Sequence, residues 1–146
     1  MQVIFVTDPA QLNILSNKKA NHGELNFGFS EKYLTRLKEL LSNKYAYQII
    51  LMDGNNFVAY IASAETFWPN YLTIIEVFVS PEYQGKGVGK MLLEHAIDFA
   101  KKEGLEGLMV QTETENLPAQ KLYERTGFNK IENKEWEGIT YKFEIQ

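Results

Sequence analysis

The sequence predicts a single mixed α/β (α+β) domain, in which a sheet of about seven strands is flanked by about four helices. The chain has 146 residues, of which 45% are hydrophobic and 13% aromatic, enough for one compact core. Strand-like alternation and helical periodicity follow each other along the whole length. We find no internal repeat and no low-complexity tract, so residues 1–146 are expected to form one domain with mixed strands and helices.

In the N-terminal half, the patterns predict a strand, a helix, a loop, a second helix and a hairpin. These elements span Gln2–Val6, Pro9–Lys18, Asn21–Gly28, Ser30–Leu41, and Tyr45–Met52 with Phe57–Ala64. Asp8 before Pro9 and Ser30 are the expected helix caps. Asp53-Gly54 supplies the positive φ that a tight hairpin turn requires.

In the C-terminal half, the patterns predict alternating strands and helices that end in a hairpin. These elements span Tyr71–Val79, Val88–Lys102, Leu108–Thr112, Leu117–Arg125, and Phe128–Ile131 with Ile139–Ile145. The strand Tyr71–Val79 is β-branched and aromatic, which is typical of a central strand. Gly104 and Gly127 are expected to end the two helices.

The composition argues against several classes of function. The formal net charge is −4, and Lys and Arg are dispersed, so nucleic acid is not an expected partner. There is no Cys and only two His, His22 and His95, so no metal site is expected and both His are expected at the surface. No window approaches the length of a membrane span, and the expected location is cytoplasmic.

The most informative segment is VFVSPEYQGKGVGKMLLEHA, in which a strand leads through Gly85, Gly87 and Gly89 into a helix. Amide groups at a helix start have no intrahelical partner and lie at the positive end of the helix dipole, so they can bind a pyrophosphate. A dinucleotide fingerprint would require Gly at Lys90, and an ATP-binding loop would require Ser or Thr at Met91. A tight strand-to-helix turn without a ligand is the structural alternative.

A second segment, TETENLPAQKLYERTGF, carries Asn116, Ala119, Leu122-Tyr123 and Gly127-Phe128. With Gln84-x-x-Gly87-x-Gly89 after Val79-x-Pro81, it resembles the GNAT superfamily of N-acetyltransferases. Ile75-Glu76 and the Asn-x-Pro-Ala turn are most similar to streptothricin-type enzymes, which modify antibiotic amines. The resemblance covers Tyr71–Phe128, and residues 1–50 match no motif that we can name.

The resemblance implies a GNAT-type sheet, largely antiparallel, that splays between its fourth and fifth strands, here Tyr71–Val79 and Leu108–Thr112. Residues 71–128 would then be the acetyl-CoA-binding core, residues 1–66 the acceptor side, and residues 128–146 a C-terminal hairpin. The implied cofactor-binding residues are Phe78, Val79, Gln84, Gly85, Lys86, Gly87, Val88, Gly89, Lys90 and Asn116. A bulge near Phe78 or Val79 would free an N–H for the thioester carbonyl.

The implied catalytic residues are Glu76 and Tyr123. Glu76 is a base or a substrate anchor, or alternatively a structural ion pair or an exposed sheet residue. Alternation places Glu76 and Phe78 on one face of the strand and Ile75 and Val77 on the other. Tyr123 faces the leaving sulfur or is a packing aromatic.

Asn116 binds the pantetheine amide or is an ordinary helix cap. We also expect that the acceptor pocket has an apolar wall and an acidic rim. The wall comprises Trp68, Tyr71 and Trp136, and the rim comprises Glu65, Glu135 and Glu137. For each of these residues taken singly, ordinary packing in the core or at the surface is the alternative.

The function that the resemblance implies is transfer of an acetyl group from acetyl-CoA to a primary amine by direct attack in a ternary complex. The partners are acetyl-CoA and an amine, with no nucleic acid or membrane, and a homodimer is compatible with them. A small molecule is the preferred acceptor. A protein lysine or N-terminal amine, and a non-catalytic acyl-CoA-binding module, are the alternatives.

Overall fold

The computed structural model describes residues 1–16, 19–22, 25–28, 30–65 and 68–146, with 19–22 and 25–28 as backbone only. These residues form nine strands, three α-helices and two 3-10 helices. The strands are β1 (Gln2–Phe5), β2 (Lys19–His22), β3 (Leu25–Gly28), β4 (Tyr47–Asp53), β5 (Asn56–Ala64), β6 (Tyr71–Val79), β7 (Gly107–Thr112), β8 (Asn129–Ile131) and β9 (Ile139–Glu144). The helices are α1 (Glu31–Leu40), α2 (Val88–Lys102) and α3 (Leu117–Thr126), with 3-10 helices at Pro9–Leu15 and Pro81–Tyr83.

Seven of the strands follow one path through the sheet, in the order β1-β4-β5-β6-β7-β9-β8. Only the central pair β6 and β7 is parallel along this path; the other neighbours are antiparallel. The β2–β3 hairpin lies off the path and meets β6 where Asn21 pairs with Val79. The prediction of a mixed, largely antiparallel sheet of about seven strands is therefore confirmed.

The two parallel strands pair along only part of their length. Tyr71–Ile74 of β6 pairs with Gly107–Val110 of β7, and beyond Ile74 the edge of β6 that faces β7 is not paired with it. These are the strands between which the sequence predicts a splay. The opening therefore lies beside Ile75–Phe78, because Val79 pairs with Asn21 of β2.

The sheet separates two hydrophobic clusters. One cluster contains α2, α3 and the inner face of the central strands, with Leu92, Leu93 and Tyr141 fully buried. The other contains α1 and the first 3-10 helix, and Tyr60 and Phe78 are buried there. Helices thus cover both faces, as the alternation of strands and helices predicts.

Two predictions for the N-terminal region are wrong in part. The first helix is a 3-10 helix that ends at Leu15, and Asp8 caps it through the Ala10 N–H at 2.8 Å; its expected last residues, 17 and 18, lie outside the described residues. The expected loop Asn21–Gly28 contains most of the β2–β3 hairpin, although residues 23 and 24 are not described. Asn and Gly have low strand propensity, so these strands depend on pairing that the local sequence does not reveal.

The other predicted elements are found within one or two residues of their expected bounds. Ser30 accepts a hydrogen bond from the Tyr33 N–H at 3.1 Å and caps α1. Gly54 adopts φ 60° in the β4–β5 turn, and Gly127 adopts φ 104° after α3. Within the described ranges, no helix has the length and apolar character needed to cross a bilayer.

Candidate active site

The glycine-rich turn brings the chain from the open end of β6 to the start of α2. Gly85 and Gly87 have φ of 76° and 80°, which side chains other than glycine rarely adopt. A Cβ at either position would have no neighbour within 4 Å, so the space beyond the turn is open. No side chain caps α2, because its N-cap is Gly87. The first amides of α2 are therefore directed into open space, as an anion-binding helix terminus requires.

A cleft of about 520 Å³ lies between this turn and α3. Its lining residues are Val77, Val79, Tyr83, Gln84, Gly85, Gly87, Val88, Gly89, Lys90, Asn116, Leu117, Pro118, Ala119, Lys121, Leu122, Tyr123 and Arg125. Of the residues proposed from the sequence for cofactor binding, Phe78 and Lys86 do not line it. The other eight do, and so does Tyr123.

Gln84 and Lys86 have contacts within the turn itself. The Gln84 Nε2 donates a hydrogen bond to the Val79 carbonyl at 3.1 Å, which braces the turn against the end of β6. The Lys86 ammonium lies 5.6 Å from the centre of the Tyr83 ring. Gln84 thus shapes the cleft wall, and Lys86 packs against Tyr83, which is part of that wall.

The expected bulge near Phe78 or Val79 is not found there. Phe78 is fully buried on the α1 face, and Tyr60, Phe78 and Val79 lie in a continuous stretch of β5–β6 pairing. The register instead shifts between Ile74 and Glu76, so that Ile75 has no direct partner in β5. The bulge of β6 therefore lies at Ile75, before the expected position, and the edge of β6 at Ile75–Phe78 is not paired with β7.

The register shift also changes which side chains share a face. Ile75 packs in the cluster with Phe78, whereas Val77 and Val79 pack in the cluster of α2 and α3. The strict alternation predicted from the sequence placed Ile75 with Val77, and this is wrong because one extra residue is accommodated at Ile75.

Asn116 caps α3 and also lines the cleft. Its Oδ1 accepts a hydrogen bond from the Ala119 N–H at 3.2 Å, and the residue is 7% exposed. The buried Gln120 donates to the carbonyls of Glu113 and Thr114 at 3.2 and 3.0 Å, which fixes the turn before the cap. The capping role expected for Asn116 is present, and the side chain stays within reach of a ligand in the cleft.

Three cationic side chains of the cleft lining lie near the start of α2 and along α3. They are Lys90, Lys121 and Arg125. Sequence reasoning proposed Lys90 but missed the other two, although a spacing of four residues in a helix that follows a recognised cap places both on one face. Together with the free amides of α2, they make this cleft suitable for a polyanion.

Helices α2 and α3 approach closely because Gly89 has no side chain. A Cβ at Gly89 would lie 2.9 Å from Leu122 Cδ2. Leu122 therefore packs directly on the first turn of α2, and the next residue, Tyr123, also lines the cleft.

Tyr123 lies at the inner end of the cleft. It is 6% exposed, and its ring packs against Phe128 and Tyr141 with centroids 6.1 and 5.6 Å away. Burial, followed by the negative charge of Glu76, raises the pKa of the Tyr123 hydroxyl well above its usual value of 10.0. The hydroxyl therefore stays protonated at neutral pH and can donate a hydrogen bond.

Glu76 lines a second cavity, of about 840 Å³, on the α1 side of the sheet. The cavity lining comprises Tyr33, Arg36, Leu37, Glu39, Leu40, Ser42, Asn43, Thr73, Ile74, Ile75, Glu76, Gln111 and Trp136. Burial raises the pKa of Tyr33 strongly, and the charge and hydrogen bonding of Glu76 raise it further. The negative charge of Glu76 thus raises the pKa of a tyrosine in the second cavity, Tyr33, and of one in the cleft, Tyr123.

The predicted apolar wall is only partly present. Trp136 lines the cavity and packs over Gly138, where a Cβ would lie 2.1 Å from the indole ring. Trp68 and Tyr71 instead pack against each other near Lys142, outside the cavity, so their place in the wall is wrong. These two residues begin β6 or precede it, at the end where β6 is paired with β7.

The remaining sequence candidates lie elsewhere. Glu65 accepts a hydrogen bond from the Asn70 N–H at 2.8 Å, and Glu135 and Glu137 are exposed outside the cavity lining. His95 is half-buried beside Phe5 rather than at the surface. The side chain of His22 lies outside the described residues.

This geometry agrees with comparisons with known proteins. The model of the acetyltransferase (GNAT) family matches residues 16–128. The chain belongs to the GNAT family. The match includes the opening in the sheet, the glycine-rich turn and α3.

Two curated relatives are similar to parts of this GNAT chain. Streptothricin acetyltransferase of Streptomyces lavendulae is 37% identical over 76 residues, which are 52% of this chain and 40% of that protein. The ribosomal-protein-bS18-alanine N-acetyltransferase of Escherichia coli K12 is 41% identical over 58 residues, 40% of this chain and 39% of the relative. The matched segments thus span about two-fifths of each curated relative.

A solved structure gives the same fold over nearly the whole length. The PaiA N-acetyltransferase of Thermoplasma acidophilum, solved in complex with coenzyme A, has a TM-score of 0.72 at 18% identity. The alignment covers 99% of this chain and 100% of that one. The similarity shows that the GNAT fold extends beyond the segment in which motifs are recognisable.

Proposed function

We propose that this protein transfers the acetyl group of acetyl-CoA to a primary amine of a small molecule. The observation that carries the proposal is the arrangement of two cavities on opposite faces of the sheet, in which Glu76 lines one cavity and its charge raises the pKa of Tyr123 in the other. One cavity is suited to a pyrophosphate and an extended arm, and the other is large enough for a small organic molecule.

The cleft fits acetyl-CoA on three grounds. The uncapped amides of α2 and the cations Lys90, Lys121 and Arg125 suit the phosphates. Val77, Val79 and Leu122 provide an apolar path toward the opening. The edge of β6 at Ile75–Phe78, which is not paired with β7, can hydrogen-bond an extended chain as an added strand would. When bound, acetyl-CoA supplies the activated acetyl group as a thioester.

Glu76 is assigned to the acceptor. An alkylamine with a pKa of roughly 10 arrives mainly as an ammonium ion at neutral pH, and the Glu76 carboxylate attracts that charge. The carboxylate then takes the proton that the amine must lose, directly or through one water. The C–N bond forms as the C–S bond breaks, so the proton leaves on the Glu76 side and the sulfur leaves on the cleft side.

Tyr123 is assigned to the leaving sulfur. Its raised pKa makes full proton transfer to a thiolate unfavourable, because a thiol titrates near 8.5, well below this hydroxyl. Tyr123 therefore stabilises the departing thiolate by a hydrogen bond from its protonated hydroxyl.

The test is release of free thiol from acetyl-CoA in the presence of a panel of small amines, an alanine-initiated peptide and a lysine peptide. We expect small amines to give N-acetylated products detectable by mass spectrometry. Glu76→Gln should lower kcat by about 10²-fold with little change in acetyl-CoA affinity, whereas Glu94→Gln, on the exposed face of α2, is the matched control.

Three outcomes would contradict the proposal. Activity with the peptides alone would show that the acceptor is a protein amine and not a small molecule. Binding of acetyl-CoA without release of thiol for any amine would indicate a binding module. Full activity of Glu76→Gln would remove Glu76 from the mechanism.

A further inference from the structure

The wall of the acceptor cavity that α1 provides carries an ordered series of polar side chains. Tyr33, Arg36 and Glu39 all line the cavity and follow each other at intervals of three residues. Each interval corresponds to about 4.5 Å along the helix axis. Because Tyr33 interacts with Glu76, Arg36 lies about one such step from the reacting end, and Glu39 about two.

Arg36 is an exposed residue of the cavity lining. Among the described residues, no ion pair involves its guanidinium. Its positive charge lowers the pKa of Tyr33, which shows that it lies close to the reacting end of the cavity. A guanidinium in this situation matches a ligand carboxylate in both charge and geometry.

Thr73 provides a second, independent indication of a polar ligand. The residue is 3% exposed and lines the same cavity, and its Oγ1 has no hydrogen-bond partner among the residues that the structure describes. A buried hydroxyl without a partner costs about 1–3 kcal/mol, so such groups are rare unless something else satisfies them.

We propose that the acceptor is an aminocarboxylate, a primary amine that also carries a carboxylate a few bonds away. The amine lies beside Glu76, the carboxylate binds Arg36, and the Thr73 hydroxyl hydrogen-bonds a polar atom of the same molecule. This specification of the substrate class rests on the proposed acetyl transfer.

The order of charges along α1 favours this class over a diamine. A second ammonium group would have to pass Arg36 to reach Glu39, because Arg36 lies nearer to Glu76 along the helix. A carboxylate at the same distance meets a positive charge instead. The cavity therefore selects an anionic group close to the reacting amine.

The experiment compares kcat/KM for amines matched in length. ε-Aminocaproate is paired with hexylamine and γ-aminobutyrate with butylamine, and cadaverine represents diamines. We expect the parent to prefer at least one aminocarboxylate over its matched amine by about tenfold or more, as a charge-assisted hydrogen bond provides. Arg36→Met should reduce that preference to about twofold or less. Lys32→Met, on the same helix but outside the cavity lining, is the control and should retain it.

Thr73→Val tests the buried hydroxyl separately. Since this hydroxyl has no described partner, we expect the melting temperature to be retained or raised, while KM for the aminocarboxylate increases. An unchanged KM would remove Thr73 from the acceptor site.

Calorimetry distinguishes failure of this proposal from failure of the proposed function. One possible result is that ε-aminocaproate, in the presence of CoA, binds the parent and does not bind Arg36→Met, while no amine is acetylated. That result would support the aminocarboxylate site and would contradict acetyl transfer to small amines. Equal preference for the paired amines in the parent, faster reaction of cadaverine, or unaltered preference in Arg36→Met would overturn the aminocarboxylate assignment.

Discussion

The position of Tyr123 in the cleft suits a proton donor to the leaving group, whereas its raised pKa does not. It lines the cleft in which we propose that the thioester binds, but burial and the negative charge of Glu76 hold its proton tightly. A hydroxyl whose pKa is raised this far keeps its proton and can still donate a hydrogen bond, but it is a poor general acid at neutral pH. We therefore assign stabilisation of the thiolate to Tyr123 and proton removal to Glu76, on the other side of the opening.

Removal of the Tyr123 hydroxyl should impair turnover without abolishing it. In Tyr123→Phe the ring still packs on Phe128 and Tyr141, so only one hydrogen bond to the leaving group is lost. We expect kcat to fall on the order of 10- to 100-fold, about 1.4 to 2.8 kcal/mol, with acetyl-CoA affinity changed by less than about twofold.

Steady-state kinetics and calorimetry together decide this assignment. Turnover at the parental rate would make Tyr123 a packing residue. A loss confined to acetyl-CoA affinity would make it a ligand contact without a part in the chemistry. Tyr123→Phe should also leave the pH–rate profile unchanged between about pH 6 and 9, because the parental hydroxyl is protonated throughout that range.

At the scale of single elements, the start of α2 depends on the positive φ of Gly87. Asp and Asn are similar in shape and both tolerate the left-handed region better than other residues. Comparison of Gly87→Asp with Gly87→Asn therefore isolates charge at the expected phosphate site.

We expect Gly87→Asp to weaken acetyl-CoA binding by about tenfold or more relative to Gly87→Asn, since a carboxylate at an uncapped helix N-terminus competes with phosphate for the same amides. Calorimetric titration of both variants measures the difference, and circular dichroism confirms that both are folded. Equal affinities would show that no phosphate lies at this turn.

The sequence predicts the cofactor side of the site better than the acceptor side. Gly85, Gly87 and Asn116 each satisfy a local requirement, a positive φ or a helix cap, within a contiguous motif. The acceptor cavity is different, because α1, β6, β7 and the turn at Trp136 come together only through tertiary packing. No local pattern reveals that Tyr33 lies beside Glu76.

Two differences between the predicted and the observed strands also arise from tertiary pairing. The register shift at Ile75 depends on how β5 pairs with β6, and it moves one side chain to the other face. The β2–β3 hairpin has few residues of high strand propensity and is supported by its contact with β6. The strand propensity of the local sequence predicts neither the register shift nor the hairpin.

At the scale of the whole molecule, buried tyrosines make the free energy of unfolding depend on pH in the alkaline range. Burial raises the pKa of Tyr33, Tyr60 and Tyr123 above the ordinary value of 10.0. The folded state therefore keeps these protons where the unfolded chain loses them. Their contribution to stability is complete below about pH 10 and is lost as the pH rises toward the folded-state values.

We expect the contribution of these hydroxyls to the melting temperature to stay constant from about pH 7 to 9 and to fall above about pH 10. Calorimetric melts across this range, with tyrosinate absorbance recorded in parallel, measure both effects. Tyr60→Phe should reduce the alkaline decline, although it also loses the hydrogen bond to Gln48. Ionisation of all tyrosines near pH 10 in the folded protein would contradict the burial of these hydroxyls.

The central claim is that the cleft and the acceptor cavity form one active site through the opening between β6 and β7. It is tested most directly by the affinity of a conjugate in which the CoA sulfur is joined through an acetyl linker to hexylamine. The control is carboxamidomethyl-CoA, which has the same linker and no alkyl chain. We expect the conjugate to bind at least about tenfold more tightly than the control, because its chain enters the acceptor cavity while CoA occupies the cleft. Equal affinities of the conjugate and the control would contradict the claim.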